Sequence, residues 1–241
     1  MSDDLNNLAM SEKNRPLLDA VIKHIAENVE PITEEYFRLG EGRADRWSYV
    51  PGQLEMLEEV KDEAKRQGLW NFFLPDAETG EGLSNLDYAF IAFEMGKVPL
   101  SSESMNCAAP DTGNMEVLER VGTDAQKEQW LKPLLEGKIR SAFSMTEPAL
   151  PSSDAKNVSM SAVLEGDEWV INGEKYYISG AGDPRCKIQI CMVKTSPDAA
   201  PHKQQSMILV PLPHPGVEIL GPMHVFGGDD APHGHMHIRY T

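Results

Sequence analysis

The sequence predicts an α+β chain, with an all-α helical domain over residues 1–140 followed by an antiparallel, barrel-like β-domain over 141–241. Two observations carry this. Apolar residues recur at helical spacing through the first part. Near Arg140 the period changes to short runs rich in Val, Ile, Trp and Tyr, broken by Gly, Asn and Pro. A chain of 241 residues is long enough for two ordinary domains, each with its own core.

The elements follow in order. Over 15–39, Leu18, Val21, Ile22, Ile25, Val29 and Ile32 share one broad face, which makes an amphipathic helix with Pro31 as its point of bending. After a loop over 40–51, Leu54, Leu57, Val60 and Ala64 repeat the pattern up to Gly68, a glycine stop beside basic residues. Lys61, Lys65 and Arg66 on this second helix read as a solvated face balanced by Glu58, Glu59 and Glu63. A third helix is expected over 86–95, short helices over 103–109 and 114–120, and another over 124–135 with Asp124 near its N-cap. In SAVLEGDEWVINGEKYYIS, the pairs Gly166-Asp167 and Asn172-Gly173 read as hairpin punctuation. Strands continue at 187–194, 206–212, 217–220 and 235–240, with 195–205 as a long hairpin loop.

Charge and cysteines narrow the function classes. The net charge is −16, of which 1–140 carries −12 (15 basic against 27 acidic residues) and 141–241 carries −4 (7 against 11). A chain built to neutralise a phosphate backbone needs the opposite surplus, so nucleic acid is not an expected partner. Cys107, Cys186 and Cys191 are odd in number and scattered, the pattern of buried thiols in a reducing compartment. The opening MSDDLNNLAMSEKN has no basic region followed by an apolar run, and no stretch is apolar for long enough to span a bilayer. The expectation is a soluble, cytoplasmic protein, or a mitochondrial matrix protein if the source is eukaryotic.

Two segments stand out chemically: FSMTEPALPSSDA at the entrance to the β-domain, and NGEKYYISGA. Each packs hydroxyls, small residues and aromatics into a turn-bounded piece of strand, which suits a flat heteroaromatic ligand with hydrogen bonds at its edge. The first resembles the acyl-CoA dehydrogenase signature, a Thr-Glu-Pro turn followed by a Ser-Asp pair. The second is similar to that family's Asn-Gly-x-Lys-x-Trp-Ile-Thr/Ser strand. LPDAETGEGLSNLDYAFIAFEMGKVP upstream and GAGDPRCKIQICMVKTS with QQSMILVPLPHPGV downstream extend the likeness over nearly the whole chain. The longer turn Ala149-Leu150-Pro151-Ser152 and the Ser179-Gly180-Ala181-Gly182 run resemble the branch whose animal members carry an extra kinase-like domain.

The resemblance implies an FAD enzyme that desaturates an acyl-CoA thioester between its α and β carbons in fatty-acid β-oxidation and passes electrons to an electron-transferring flavoprotein. It implies a homo-oligomer, dimer or tetramer. Transferred residue by residue, it places Phe143, Ser144, Met145 and Thr146 along the pyrimidine side of the flavin, with the Thr146 hydroxyl and nearby amides as donors. Ser152 joins the cofactor set. Tyr177 stands where the family has tryptophan against the flavin, followed by Ile178, and Ser179 matches a hydroxyl near flavin N5. Ser153 matches the serine that binds the coenzyme A portion, while Asp154 and Glu147 read as structural.

No residue of this chain matches the family's catalytic base, which sits in a helical domain after the β-domain. The sequence stops at MHIRYT, where the resemblance implies a further strand and then the C-terminal helical bundle. The 241-residue chain alone is therefore expected to be inactive and to expose an unpaired strand edge over 235–240. His233, His235 and His237 alternate on that strand, but no carboxylate or Cys completes a metal site, and no metal is expected. Three readings remain open: such a dehydrogenase seen in part, an acyl-CoA oxidase-like flavoenzyme, and a non-catalytic binding or assembly protein of the same fold.

Overall fold

In a computed structural model, residues 8–74 and 80–241 are described. Residues 1–7 of the opening segment and 75–79 of the upstream family-like segment lie outside them. The chain divides into two compact units, one of 1–44 with 49–112, the other of 45–48 with 113–241.

The first unit is helical, with α1 (Arg15–His24), α2 (Glu30–Gly40), α3 (Gln53–Arg66), α4 (Asn85–Met95) and α5 (Ser101–Ser104). Val21, Ile25 and Val29 of the expected face are buried, as is Tyr36 one helical step further on, whereas Ile22, placed on that face by its spacing, is 41% exposed. Pro31 does not end the helix. A π-helical turn, Ile25–Val29, precedes it, and Pro31 occupies the first turn of α2. Its missing N–H is tolerated there because the wider turn has already displaced the hydrogen-bond ladder. Two expectations are corrected. Lys61 is buried, ion-paired to Glu58 at 2.8 Å and Glu103 at 3.4 Å, so it belongs to the interior of the unit and not to a solvated face. The helix expected over 103–109 ends at Ser104, and Asn106 has φ +56°.

Asp87 anchors the start of this unit. Its carboxylate accepts from the backbone N–H of Ser11 at 2.7 Å and from the side chains of Ser11, Asn14 and Ser84 at 2.9–3.0 Å. These donors, the Ser11 amide first, hold its pKa at about 2. Because the folded-state value is depressed, this stabilisation is full above the ordinary carboxylate range and is lost as pH falls through about 2. Asp87→Ala is expected to destabilise the protein by about 1 kcal/mol, since it strands several half-buried donors. Urea denaturation at neutral pH checks this; an unchanged midpoint would remove the anchor role.

The second unit begins with α6 (Asp111–Val121) from residue 113 onward, α7 (Asp124–Gln126) and α8 (Lys132–Leu135). The cap of α7 is Thr123, which forms a reciprocal box with Gln126. A second π-helical turn, Lys127–Leu131, again precedes a proline, Pro133. Seven strands follow: β1 (Arg140–Ser144), β2 (Ser161–Glu165), β3 (Glu168–Ser179), β4 (Cys186–Lys194), β5 (Gln205–Pro211), β6 (Val217–Pro222) and β7 (His235–Tyr240). Their order is β1-β4-β2-β3-β7-β6, with β5 on β4. The ladders β2–β3, β3–β7, β4–β5 and β6–β7 are antiparallel. The β1–β4 ladder is parallel, Ser141 opposite Ile188 through Ser144 opposite Cys191, so the curled sheet is mixed. Ala142, Ile178, Cys191, Met236 and Ile238 lie in its core.

Two further expectations are overturned. Asn172-Gly173 is not a hairpin; β3 runs through it. Asn172 pairs with Ser161 of β2 and Gly173 with Tyr240 of β7, so this is the corner where the strand changes partner. Gly173 has φ +148°, and a Cβ there would meet Met160 Cγ at 2.5 Å, which explains why glycine serves. The second correction concerns β7, which is no edge. It lies between β3 and β6, hydrogen-bonded to both, because the 223–234 connection brings it back between them.

Candidate functional site

The two chemically distinctive segments meet. The Tyr176 amide donates to Thr146 O at 2.9 Å, and the Thr146 hydroxyl donates to Tyr176 O at 2.6 Å. The segment leaving β1 is thereby joined to the middle of β3, and half-buried Phe143, Met145 and Thr146 lie on it.

A bulge in β3 sets which side chains remain accessible. Pairing with β7 is regular up to Lys175 and resumes at Ile178, with Tyr177 at φ +57°. Lys175 and Ile178, three apart, are both buried, which strict strand alternation forbids. Tyr177 is left 45% exposed, its ring centroid 5.0 Å from that of Tyr176 and the two planes inclined at 66°. A positive φ at so bulky a residue is unfavourable and persists only where the surroundings impose it. Here the bulge and the Thr146 bonds do so.

Beneath the surface residues lies a buried ion pair. Lys175 Nζ, fully buried, donates to Met145 O and to Glu147 Oε1, both at 2.8 Å, and so brackets Thr146. Glu147 also accepts from the Ser159 amide, the Ser159 hydroxyl at 2.7 Å and the Met160 amide at 2.9 Å. Burial alone would raise its pKa, but Lys175, Ser159 and Met160 together outweigh it and hold the carboxyl below its usual range. A carboxylate occupied by four donor groups is a structural anchor.

The remaining candidates are placed as follows. Ser144 and Ile178 are buried. The Ser144 and Tyr240 hydroxyls donate to Gln189 Oε1 at 2.6 and 2.7 Å, an interior triangle. Ser152 is buried, with its hydroxyl accepting from the Glu147 amide at 2.6 Å. Ser153 is exposed on the 148–154 turn. Asp154 caps the short 3-10 turn Ala155–Asn157 through the Lys156 amide. Ser179, half-buried, is 2.7 Å from His235 Nδ1. Sequence reasoning missed Lys175, Gln189, Tyr240, Asp230 and the true partners of His235. Only the odd spacing of Lys175 and Ile178 could have signalled the buried lysine, and that spacing has no meaning until the bulge is seen.

Among the described residues no cluster of three or more His, Cys, Asp or Glu could hold a metal ion. Cys107, Cys186 and Cys191 are buried and form no disulfide, and burial pushes the Cys107 and Cys191 thiols up to about 12. A concave groove of about 500 Å³ lies among Trp169, Ile171, Leu209, Val217 and Tyr240, and includes none of the candidate site residues. Among the described residues no helix is long and apolar enough to cross a membrane.

Comparison with known proteins follows the same division of the chain. Residues 11–138 match the acyl-CoA dehydrogenase N-terminal domain and 142–240 the acyl-CoA dehydrogenase middle domain. The chain is 46% identical over 236 residues to mouse acyl-CoA dehydrogenase family member 10, covering 96% of this chain and 22% of that protein. It is 56% identical over 186 residues to a probable acyl-CoA dehydrogenase of Mycobacterium tuberculosis, covering 77% and 45%. A solved Mycobacterium abscessus structure carrying the acyl-CoA dehydrogenase designation superposes with a TM-score of 0.87 at 44% identity, over 96% of this chain and 58% of that one. The chain thus spans less than half the length of these two curated relatives. With both domain models matched in order and the fold superposed, the chain belongs to the acyl-CoA dehydrogenase family.

Proposed function

We propose that this chain serves an FAD-dependent acyl-CoA dehydrogenase that desaturates an acyl-CoA thioester of the fatty-acid β-oxidation type. The supporting observation is the reciprocal hydrogen bonding of Thr146 and Tyr176, which joins the two family-like segments and leaves the Tyr177 ring exposed next to them. The residues fit a flavin. An accessible aromatic face, half-buried hydroxyls at Thr146 and Ser179, and apolar Phe143 and Met145 are what a flat ring with a polar edge requires.

In this reading Phe143, Met145, Thr146, Tyr177 and Ser179 hold FAD by side chain, and Ser144, Ser152 and Ile178 by backbone. Ser153 binds the coenzyme A portion of the substrate. When bound, FAD supplies the acceptor for the β-hydrogen, at N5. The chain's own task is to orient the ring and to aim donors at the edge where charge gathers on reduction. Electrons pass on to an electron-transferring flavoprotein, and the working protein is a homo-oligomer. Buried thiols that form no disulfide support a reducing compartment, cytoplasm or mitochondrial matrix.

Glu147 is not the base, because its oxygens are committed to Lys175, Ser159 and Met160. A polypeptide of residues 1–241 alone is therefore expected to show no desaturation. The full natural protein should purify with FAD, and its flavin band should bleach anaerobically on adding an acyl-CoA. Absence of flavin from that protein would sink the assignment. Turnover by a 1–241 polypeptide of verified mass would instead make Glu147 the first suspect.

A further inference from the structure

Ser179 and His235 face each other across the β3–β7 ladder, directly opposite in register. The Ser179 Oγ to His235 Nδ1 distance is 2.7 Å, and His235 Nε2 lies 3.0 Å from Asp230 Oδ2. The imidazole is largely covered, with its side chain 25% exposed, while Asp230 is 57% exposed. Asp230 is itself fixed in the 223–234 connection: its carbonyl accepts from the Gly234 amide at 2.8 Å, and its φ is +51°.

The direction of this chain follows from its ends. An ionised carboxylate only accepts, so the Nε2 hydrogen points at Asp230, and in the tautomer with its single hydrogen there Nδ1 presents a lone pair. Ser179 has one hydroxyl hydrogen, and Nδ1 takes it. What Ser179 offers in every other direction is lone pairs. The neighbouring charged groups have other partners: Asp229 pairs with Arg46 at 2.9 Å, and His237 with Glu174 at 2.8 Å. The His233 ring lies 6.4 Å from that of His235 and perpendicular to it, too far for a hydrogen bond between them.

We propose that His235, oriented by Asp230, is a positioning residue that presets the Ser179 hydroxyl as a hydrogen-bond acceptor toward flavin N5. This rests on the reading above that Ser179 lies beside N5. An oxidised N5 needs a donor and a reduced N5 bears a hydrogen, so a hydroxyl already committed as acceptor favours the reduced state. The pair thereby raises the flavin potential without touching the substrate. It also gives β7, which carries no residue of the family-like motifs quoted above, a direct hold on the reacting edge.

The test uses the full natural protein with FAD bound. Histidine ¹⁵N spectra of wild type should show His235 protonated at Nε2 and bare at Nδ1. His235→Phe and Asp230→Gly, which leaves Nε2 without an acceptor, should each lower the reduced-to-oxidised ratio about tenfold at a fixed applied potential, a shift of about 30 mV for a two-electron couple. FAD content should stay unchanged. His235→Gln, whose side-chain oxygen can still accept from Ser179, should recover most of that shift. Because Asp230 is exposed and has a positive φ that glycine accepts, Asp230→Gly keeps the test valid even if His235→Phe folds poorly. A wild-type His235 protonated at Nδ1, or an unshifted potential in Asp230→Gly with FAD bound, would overturn the proposal. Failure of the wild-type protein to hold FAD would overturn the functional reading and this inference with it.

Discussion

Replacing Lys175 by methionine is expected to destabilise the β-unit by about 3–5 kcal/mol, because it leaves the Glu147 carboxylate buried and without its cation. Methionine matches the length of the lysine stem, so the effect reports on charge and hydrogen bonding more than on volume. The double variant Lys175→Met with Glu147→Gln should recover part of the loss, since no unpaired charge then remains. The pH dependence separates this from a packing defect. Glu147 has a folded-state pKa below its unfolded value, so its contribution is full above the ordinary carboxylate range and declines as pH falls through the lowered value. In Lys175→Met that dependence should weaken or reverse, because burial then acts unopposed by the ammonium. Denaturant titrations across pH on both variants measure it. A Lys175→Met protein as stable as wild type would show that the pair contributes nothing net.

Thr146→Ala should lower the midpoint potential of bound flavin while leaving acyl-CoA affinity nearly unchanged. The hydroxyl hydrogen now goes to the Tyr176 carbonyl, and either turning it toward the ring or losing that clamp affects the edge where reduced flavin gathers charge. A hydrogen bond between neutral groups such as this clamp contributes about 0.5–1.5 kcal/mol, which corresponds to roughly 10–30 mV for a two-electron couple. Ser153→Ala should do the reverse, weakening acyl-CoA binding with the potential of the free enzyme almost unmoved, because Ser153 stands exposed on its turn. Spectroelectrochemical and ligand titrations on the two variants decide the matter. If Ser153→Ala moves the potential and Thr146→Ala does not, the match through the longer Ala149-Leu150-Pro151-Ser152 turn is wrong.

Much of this was legible in the sequence, for identifiable reasons. The period change near Arg140 marked the start of the strands because side-chain spacing in each element follows backbone geometry. The segments around Thr146 and Tyr177 stood out because hydroxyls, glycines and aromatics are concentrated there. Three things were illegible. Asn172-Gly173 has the composition of a tight turn, but its conformational freedom serves a bend within one strand. The exchange of faces between Lys175 and Ile178 depends on a bulge that no periodicity encodes. Lys61 and Lys175 look like solvated charges until Glu58, Glu103 and Glu147 are placed beside them in space. The histidines were read by their spacing along one strand, whereas their partners come from β3 and from the 223–234 connection.

The corner at Gly173 also orders events in time. The first half of β3 finds β2 across a tight turn, a local pairing available as soon as both strands exist. Its second half, which carries Tyr177 and Ser179, has its ladder partner in β7, so it must wait until 235–240 has been synthesised. Loop closure over that separation makes the step slow, and apolar strand surface stands unpaired meanwhile. The half of the site on β3 thus takes shape only after β7 has been made, and in the window before β7 arrives the nascent chain presents that surface to aggregation and to chaperones.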